Sequence, residues 1–230
     1  MSESQDFERM WLSKFATCLD QEVGVEVRKY IMEGSEQLSS TASREDVIQW
    51  TREAMERLDS SVDDSHRHAV MTGCACQYPA SDLQEIRSIY AETKDLDQVH
   101  SLLQQKLETF LREDLDLEEQ LINEVVSRGW GLAGFKEGKT IIATKIPKSE
   151  SLKDYFNEVD PQARRELYCH CPRVRDAVAA NEKISISYCY CGAGFYKALW
   201  EEITQEPVYV EMLESVLAGD DACKIAIYLP

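Results

Sequence analysis

Three Cys-x-Cys pairs set the strongest constraint on this chain: Cys74 with Cys76, Cys169 with Cys171, and Cys189 with Cys191. The first pair lies far in sequence from the other two. A common centre therefore requires the first half of the chain to dock on the last third. Cys18 and Cys223 stand alone and read as small buried hydrophobes. A disulfide-rich secreted domain would be shorter and would begin with an export signal. The opening MSESQDFERM has neither the basic nor the apolar region of such a signal. No apolar run approaches the roughly 20 residues that span a bilayer. The expectation is a cytoplasmic protein with no membrane association, whose reduced thiol pairs bind metal or do redox work.

Composition narrows the partners. Asp and Glu number 42 against 25 Lys and Arg, for a formal net charge of −17. A phosphate-backbone binder needs clustered cations, so nucleic acid is not expected as a partner. With 43% hydrophobic and 29% charged residues, the chain has the apolar content of a folded protein rather than of an acidic disordered tail. Its 230 residues allow one large domain or two small ones.

Apolar periodicity makes the first half helical. Phe7, Met10, Trp11, Phe15 and Leu19 form one stripe. Residues 23–38 continue as a second helical stretch that ends in the Ser/Thr cluster of residues 39–43. Ser43 with Asp46 reads as a helix start, followed by a buried face of Ile48, Thr51, Met55 and Leu58. Ser81 with Gln84 forms a second capping signal. Asp97 precedes a face of Val99, Leu103, Leu107 and Phe110, and a last helix covers about 117–126. Outward faces of these helices are compatible with a homodimer.

At Gly129 the pattern changes. Glycines 131, 134 and 138 punctuate a segment leading into the β-branched run 140–146, and Glu137-Gly138 reads as a hairpin turn. Helices are expected over 152–156 and 161–167, an alternating strand over 184–188, a helix from Gly192 to about Thr204, and closing strands over 208–216 and 224–229. The fold class is α+β, with a helical region at 1–128 and a domain with a small antiparallel sheet at 129–230.

The alternation over 184–188 places Cys189 and Cys191 on one side of a strand end. A helix N-terminus follows at Gly192-Ala193-Gly194, where thiolate is favoured. Cys169 and Cys171 flank His170 on a turn closed by Pro172. Cys74 and Cys76 follow a helix ended by Gly73. Zinc takes four thiolate or imidazole ligands in a tetrahedron, usually with two to four residues between paired ligands. One intervening residue makes a tighter chelate, so four of the six thiols would fill one zinc site. His66, His68 or His170 could replace a sulfur. An iron–sulfur cluster needs the same ligand type, although these spacings match no ferredoxin run. The plain alternative is packing, because reduced Cys is among the most buried residue types.

Around the second pair, Arg164, Arg165, Arg173 and Arg175 stand out in an acidic chain. Arg173 and Arg175, with His170, are candidates to clamp an anionic ligand, against the alternative of an ion-paired helix face. Tyr188 and Tyr190 would give an apolar cavity hydroxyl tips. No Ser/His/Asp order, P-loop, dinucleotide fingerprint or HExxH motif is present.

The last forty-odd residues carry an ordered set of features. Cys191-Gly192-Ala193-Gly194-Phe195 opens a helix, followed by Trp200-Glu201-Glu202-Ile203 and Pro207-Val208. Gly219-Asp220-Asp221-Ala222-Cys223 then forms a turn into the last strand. This order resembles the 4-vinyl reductase small-molecule-binding domain and the related aminothiazoline-carboxylate hydrolase-like proteins. The resemblance implies a cytoplasmic α+β domain that senses small aromatic or hydrophobic compounds, with Cys223 and Cys189 or Cys191 at the family's thiol positions. Two further readings stand beside it: a metal- or thiol-dependent hydrolase of a small sulfur- or nitrogen-containing acid, and a redox dithiol protein with disulfides inside the pairs.

Overall fold

The computed structural model describes residues 3–38 and 42–230. Residues 39–41 of the expected Ser/Thr cluster, and the side chain of Phe7, lie outside what is described. The first helix, α1 (Glu3–Glu22), buries Trp11, Phe15 and Leu19 at a spacing of four, one strip of a helical surface. Met10 belongs to the expected stripe but is 57% exposed, because one residue from Trp11 it points about 100° away. The expected long second helix is shorter, α2 (Val25–Ile31). Gly34 at φ +81° takes the chain out of helix before a single 3-10 turn, Ser35–Gln37.

Helix α3 (Arg44–Ser61) starts at a capping box. The Ser43 hydroxyl accepts the Asp46 N–H at 3.1 Å, and the Asp46 carboxylate accepts the Ser43 N–H at 3.3 Å. Such a cap stabilises by about 1 kcal/mol. Its expected face, Ile48, Thr51, Met55 and Leu58, is buried. Helix α4 (Asp64–Gly73) is capped by Asp63 and ends one residue before Cys74. The expected Ser81 cap is not made: the Ser81 hydroxyl donates to Asp82, residues 80–83 form a 3-10 turn, and α5 (Gln84–Thr93) follows. For α6 (Leu96–Thr109) the cap is Asp95, not Asp97; its carboxylate accepts from both the Asp97 and Gln98 N–H groups. A π turn, Phe110–Asp114, separates it from α7 (Glu119–Ser127).

The sheet begins where the glycines cluster. Strands β1 (Phe135–Glu137) and β2 (Thr140–Thr144) form the expected hairpin, with Gly138 at φ +59° in its two-residue turn. After the short helices α8 (Leu152–Asn157) and α9 (Pro161–Tyr168), a three-residue link leads into α10 (Pro172–Ala179). Then come α11 (Tyr190–Thr204) and the strands β3 (Tyr209–Glu214) and β4 (Lys224–Tyr228). The sheet order is β1-β2-β4-β3, antiparallel throughout, so the fold is α+β with a mainly helical first half. Among the described residues no helix is long and apolar enough to cross a membrane.

Residues 184–188 are not a strand. Ile186–Cys189 is a 3-10 turn running directly into α11. Ile186 is 47% exposed, while Ser187 is buried and its hydroxyl donates to Asp59 at 2.9 Å. The apolar alternation is real, but the Asp59 carboxylate draws the polar residue inward. Helix α11 lies between the sheet and α4, and buried side chains from both sides of residue 128 form one continuous core.

Candidate functional site

The chain folds around a cavity of about 760 Å³ to which all three Cys-x-Cys pairs contribute. Cys76, Cys169, Cys171, Cys189 and Cys191 line it, and so does Cys223. Aromatic rings of Trp11, Tyr168, Tyr188 and Tyr196 make much of the floor, while exposed Cys76, Pro79, Asp82 and Asp114 lie at the mouth. Cys74 stays behind the wall: it is buried, its thiol donates to the Val70 carbonyl at 3.2 Å, and its own carbonyl accepts from the Cys191 thiol at 3.6 Å.

Each thiol is placed by an element boundary. Cys169 ends α9 and Cys171 is the N-cap of α10, with Pro172 at the first helical position. Pro172 thus stops one helix and starts the next, which holds the Cys169-His170-Cys171 link extended against the cavity. Cys189 is the N-cap of α11, and Cys191 lies in its first turn. Both were expected to be ready thiolates at a helix start. Burial instead pushes Cys191 up to about 12, and Cys169 likewise rises to about 12. Cys189 also rises, first because its proton is engaged by Cys223 and then because it is buried.

Cys223 moves the other way. Its sulfur accepts hydrogen bonds from the Cys189 thiol, the Val216 N–H and the Ser215 hydroxyl, and the Lys145 ammonium is near; together these outweigh burial and bring it down to about 7. The Gly219-Asp220 turn holds this cradle in shape. Gly219 adopts φ +97°, and the Asp220 carboxylate accepts the Ser215 N–H at 2.8 Å. Cys18 and Cys74 form a second thiol contact, away from the cavity, in which the Cys74 proton, shared between the Val70 carbonyl and Cys18, brings Cys18 down to about 7.

Lys106 and Lys145 both line the cavity, and Lys145 is the cation beside the thiols. Its N–H donates to the Cys223 carbonyl at 2.9 Å, which extends the β2–β4 pairing by one step. Tyr168 fixes the same corner: its hydroxyl donates to the Lys145 carbonyl and accepts the Cys223 N–H at 2.8 Å. The Lys145 side chain enters the cavity, and no carboxylate pairs with its ammonium among the described residues. Burial would lower its pKa; the negative charge that Cys169, Cys223, Cys191 and Cys171 carry when ionised outweighs burial and raises it. Trp11 offers a second donor. Its indole N–H is buried without a partner apart from the weakly accepting sulfur of Cys191 beside it.

His170 also lines the cavity. Its Nε2 lies 2.9 Å from the Ile146 carbonyl; a carbonyl only accepts, so Nε2 carries the proton and Nδ1 is left as an acceptor. Burial and then the Lys145 charge lower its pKa to about 4. Tyr188 lines the floor with its hydroxyl 3.2 Å from the Cys171 sulfur. Of the other expected ligand-binding residues, Tyr190 stacks on His68 at 3.6 Å. Arg175 faces Asp176 at 3.8 Å, and Arg173 is buried over Trp11 and paired with Glu8. None of these three is a lining residue.

Sequence reasoning missed Lys145, and it read Cys223 as core from the residues alone and as a thiol position only through the resemblance. A lysine closing a β-branched run reads as an outward-facing charge, and a solitary cysteine reads as core. The Gly-Asp-x-x-Cys spacing was the one signal that pointed to Cys223. As the side chains stand, no three His, Cys, Asp or Glu among the described residues are grouped closely enough to hold a metal ion. Of the six expected ligands, Cys76, Cys169, Cys171, Cys189 and Cys191 line the cavity, and a thiophilic ion bound there would have to displace protons that burial holds on Cys169 and Cys191.

No curated protein and no solved structure matches this sequence. The model of a family of unknown function, DUF6144, matches residues 111–230. That span covers just over half of the chain, including Lys145, Cys223 and every lining element after α6, and the chain belongs to that family.

Proposed function

We propose that the protein is a small-molecule-binding protein of the cytoplasm, and that its ligand is a compact, largely apolar acid held with its anionic group at Lys145. The observation that carries this reading is an ammonium facing a cavity of aromatic rings and thiols, with no carboxylate paired to it among the described residues. An anionic group placed there would give the charged ammonium a direct partner. The Trp11 indole N–H and His170 Nδ1 supply one further donor and one acceptor. Aromatic walls suit a ligand with a flat apolar body. A role of this class is what the resemblance to the 4-vinyl reductase domain implies. All eight cysteines are free thiols, in keeping with a reducing compartment.

Calorimetric titration with aromatic monocarboxylates, 3-phenylpropionate first, against their neutral amides tests the reading. The acids should bind at least about tenfold more tightly than the amides, a difference of about 1.4 kcal/mol, and Lys145→Met should abolish the preference. Equal affinity for acid and amide, or no binding by any acid, would overturn it.

A further inference from the structure

The cavity floor joins sulfurs in a different way from the sequence pairs. Cys189, capping α11, and Cys223, immediately before β4, hydrogen-bond to each other and both face the cavity. Cys189 and Cys191 are two residues apart at the start of a helix, where such side chains diverge. The Cys223 sulfur sits in a cradle of donors, the Val216 N–H and the Ser215 hydroxyl, with the Lys145 ammonium near. The Ser215 hydroxyl reaches Cys189 as well, and Cys169 lies near it, but neither a backbone N–H nor the Lys145 ammonium is among its partners. The two sulfurs are therefore unequal. One is held as an acceptor of hydrogen bonds, and the other keeps its proton while touching the first. That is the arrangement an attacking and a resolving thiol need.

We propose that Cys223 and Cys189 form a dithiol exchange site for small disulfides that carry a carboxylate, with Cys223 attacking and Cys189 resolving. The inference rests on the reading of the cavity as a site for small anions and adds covalent chemistry to it. The Cys223 sulfur gives up its proton and attacks one sulfur of the substrate R–S–S–R. The substrate S–S bond breaks, a Cys223–S–S–R bond forms, and the departing thiolate takes up a proton. Cys189 then loses its proton and attacks the Cys223 sulfur, releasing the second RS⁻, which is protonated in turn. One small disulfide is reduced to two thiols while two protein thiols become one disulfide. An external dithiol reductant returns the protein to its starting state by the reverse exchange. Lys145 holds the carboxylate of the incoming disulfide.

The test uses the full chain with Cys18→Ser and Cys76→Ser, which remove the thiol contact outside the cavity and the exposed thiol at its mouth. Treated with 3,3′-dithiodipropionate, this protein should lose two hydrogens by intact mass, and peptide mapping should join Cys189 to Cys223. Adding Cys189→Ser should stop the reaction one step earlier, with one 3-mercaptopropionate unit on Cys223. Adding Cys191→Ser should leave the cross-link intact. The anionic probe should react about tenfold faster than neutral bis(2-hydroxyethyl) disulfide, because the ammonium concentrates it. Linkage of Cys189 to Cys191 or of Cys169 to Cys171 would overturn the proposal, as would a Cys189→Ser protein that gains no adduct. If the adduct fails while 3-phenylpropionate still binds through Lys145, only the exchange chemistry falls. If exchange proceeds at equal rates with both probes, the dithiol stands and the anion site at Lys145 falls.

Discussion

His170 shows what burial does to a single titratable group in this protein. Its Nε2–H is committed to the Ile146 carbonyl, and burial beside the Lys145 ammonium lowers its pKa from 6.5 to about 4. The unfolded chain therefore binds more protons than the folded one between those values. Stability from this group is complete above about pH 6.5 and is lost as pH falls toward 4. At pH 5 the loss is about 1–2 kcal/mol, discounted because the ring is only partly shielded from water. His170→Gln keeps an N–H for Ile146 and cannot titrate. In urea unfolding at pH 7 and pH 5, the variant should lose correspondingly less stability than the parent; equal losses would show that His170 is not the group responsible. At this scale the sequence was informative about sulfur and silent about charge. Five of the six paired thiols do line one cavity. Yet the arginines beside the second pair are taken up by Glu8, Gln162, Asp176 and the Tyr155 ring. Lys145 is brought in by β2–β4 pairing, which no local pattern reveals.

Helix α11 is the element on which the site turns, because its N-cap is Cys189 and its first turn carries Cys191 and Gly192. Two glycines in it have opposite roles. A methyl group on Gly194 would overlap the backbone carbonyl of Thr72 in α4, whereas one on Gly192 would meet only the Lys145 ammonium, at 3.9 Å. Backbone cannot yield as a flexible side chain does. Gly194→Ala should cost about 3 kcal/mol or more by forcing α11 off α4. Gly192→Ala should leave thermal stability unchanged or slightly raised, since Ala is the better helix former. Similar melting temperatures for the two variants would mean that α11 and α4 are not in backbone contact. The start of this helix was also where sequence reasoning failed most plainly. Period-two alternation over five residues is compatible with a strand, but the same residues wind as a 3-10 turn once Ser187 is tied to Asp59 in α3. That tie spans 128 positions and leaves no mark within the local window. Pro172 was legible as a helix breaker, and only half of its role was visible: it also opens α10.

Taken whole, the molecule joins its two halves through charge as well as apolar packing. Arg173 in α10 is fully buried; it pairs with Glu8 of α1 and lies 4.1 Å from the Trp11 ring centre. Glu8 also takes Arg44 of α3 at 3.0 Å, and Arg44 reaches back to Asp176 of α10 at 2.6 Å. Three helices remote in sequence thus share one chain of ion pairs directly behind Trp11, which forms part of the cavity wall. Burying a guanidinium is tolerable only while its partner is present. Glu8→Ala leaves Arg173 uncompensated and should destabilise by about 2–4 kcal/mol, somewhat below the range for a fully buried pair because Glu8 keeps 18% of its side-chain surface. Replacing both partners, Glu8→Ala with Arg173→Met, removes the stranded charge and keeps an unbranched side chain over the indole. That double variant should recover most of the loss, as read from urea midpoints. The same pair of variants separates a structural anchor from a ligand clamp. If Arg173 only holds α10 against Trp11, the double variant keeps 3-phenylpropionate binding near the parent level; selective loss of binding at restored stability would return Arg173 to the ligand site.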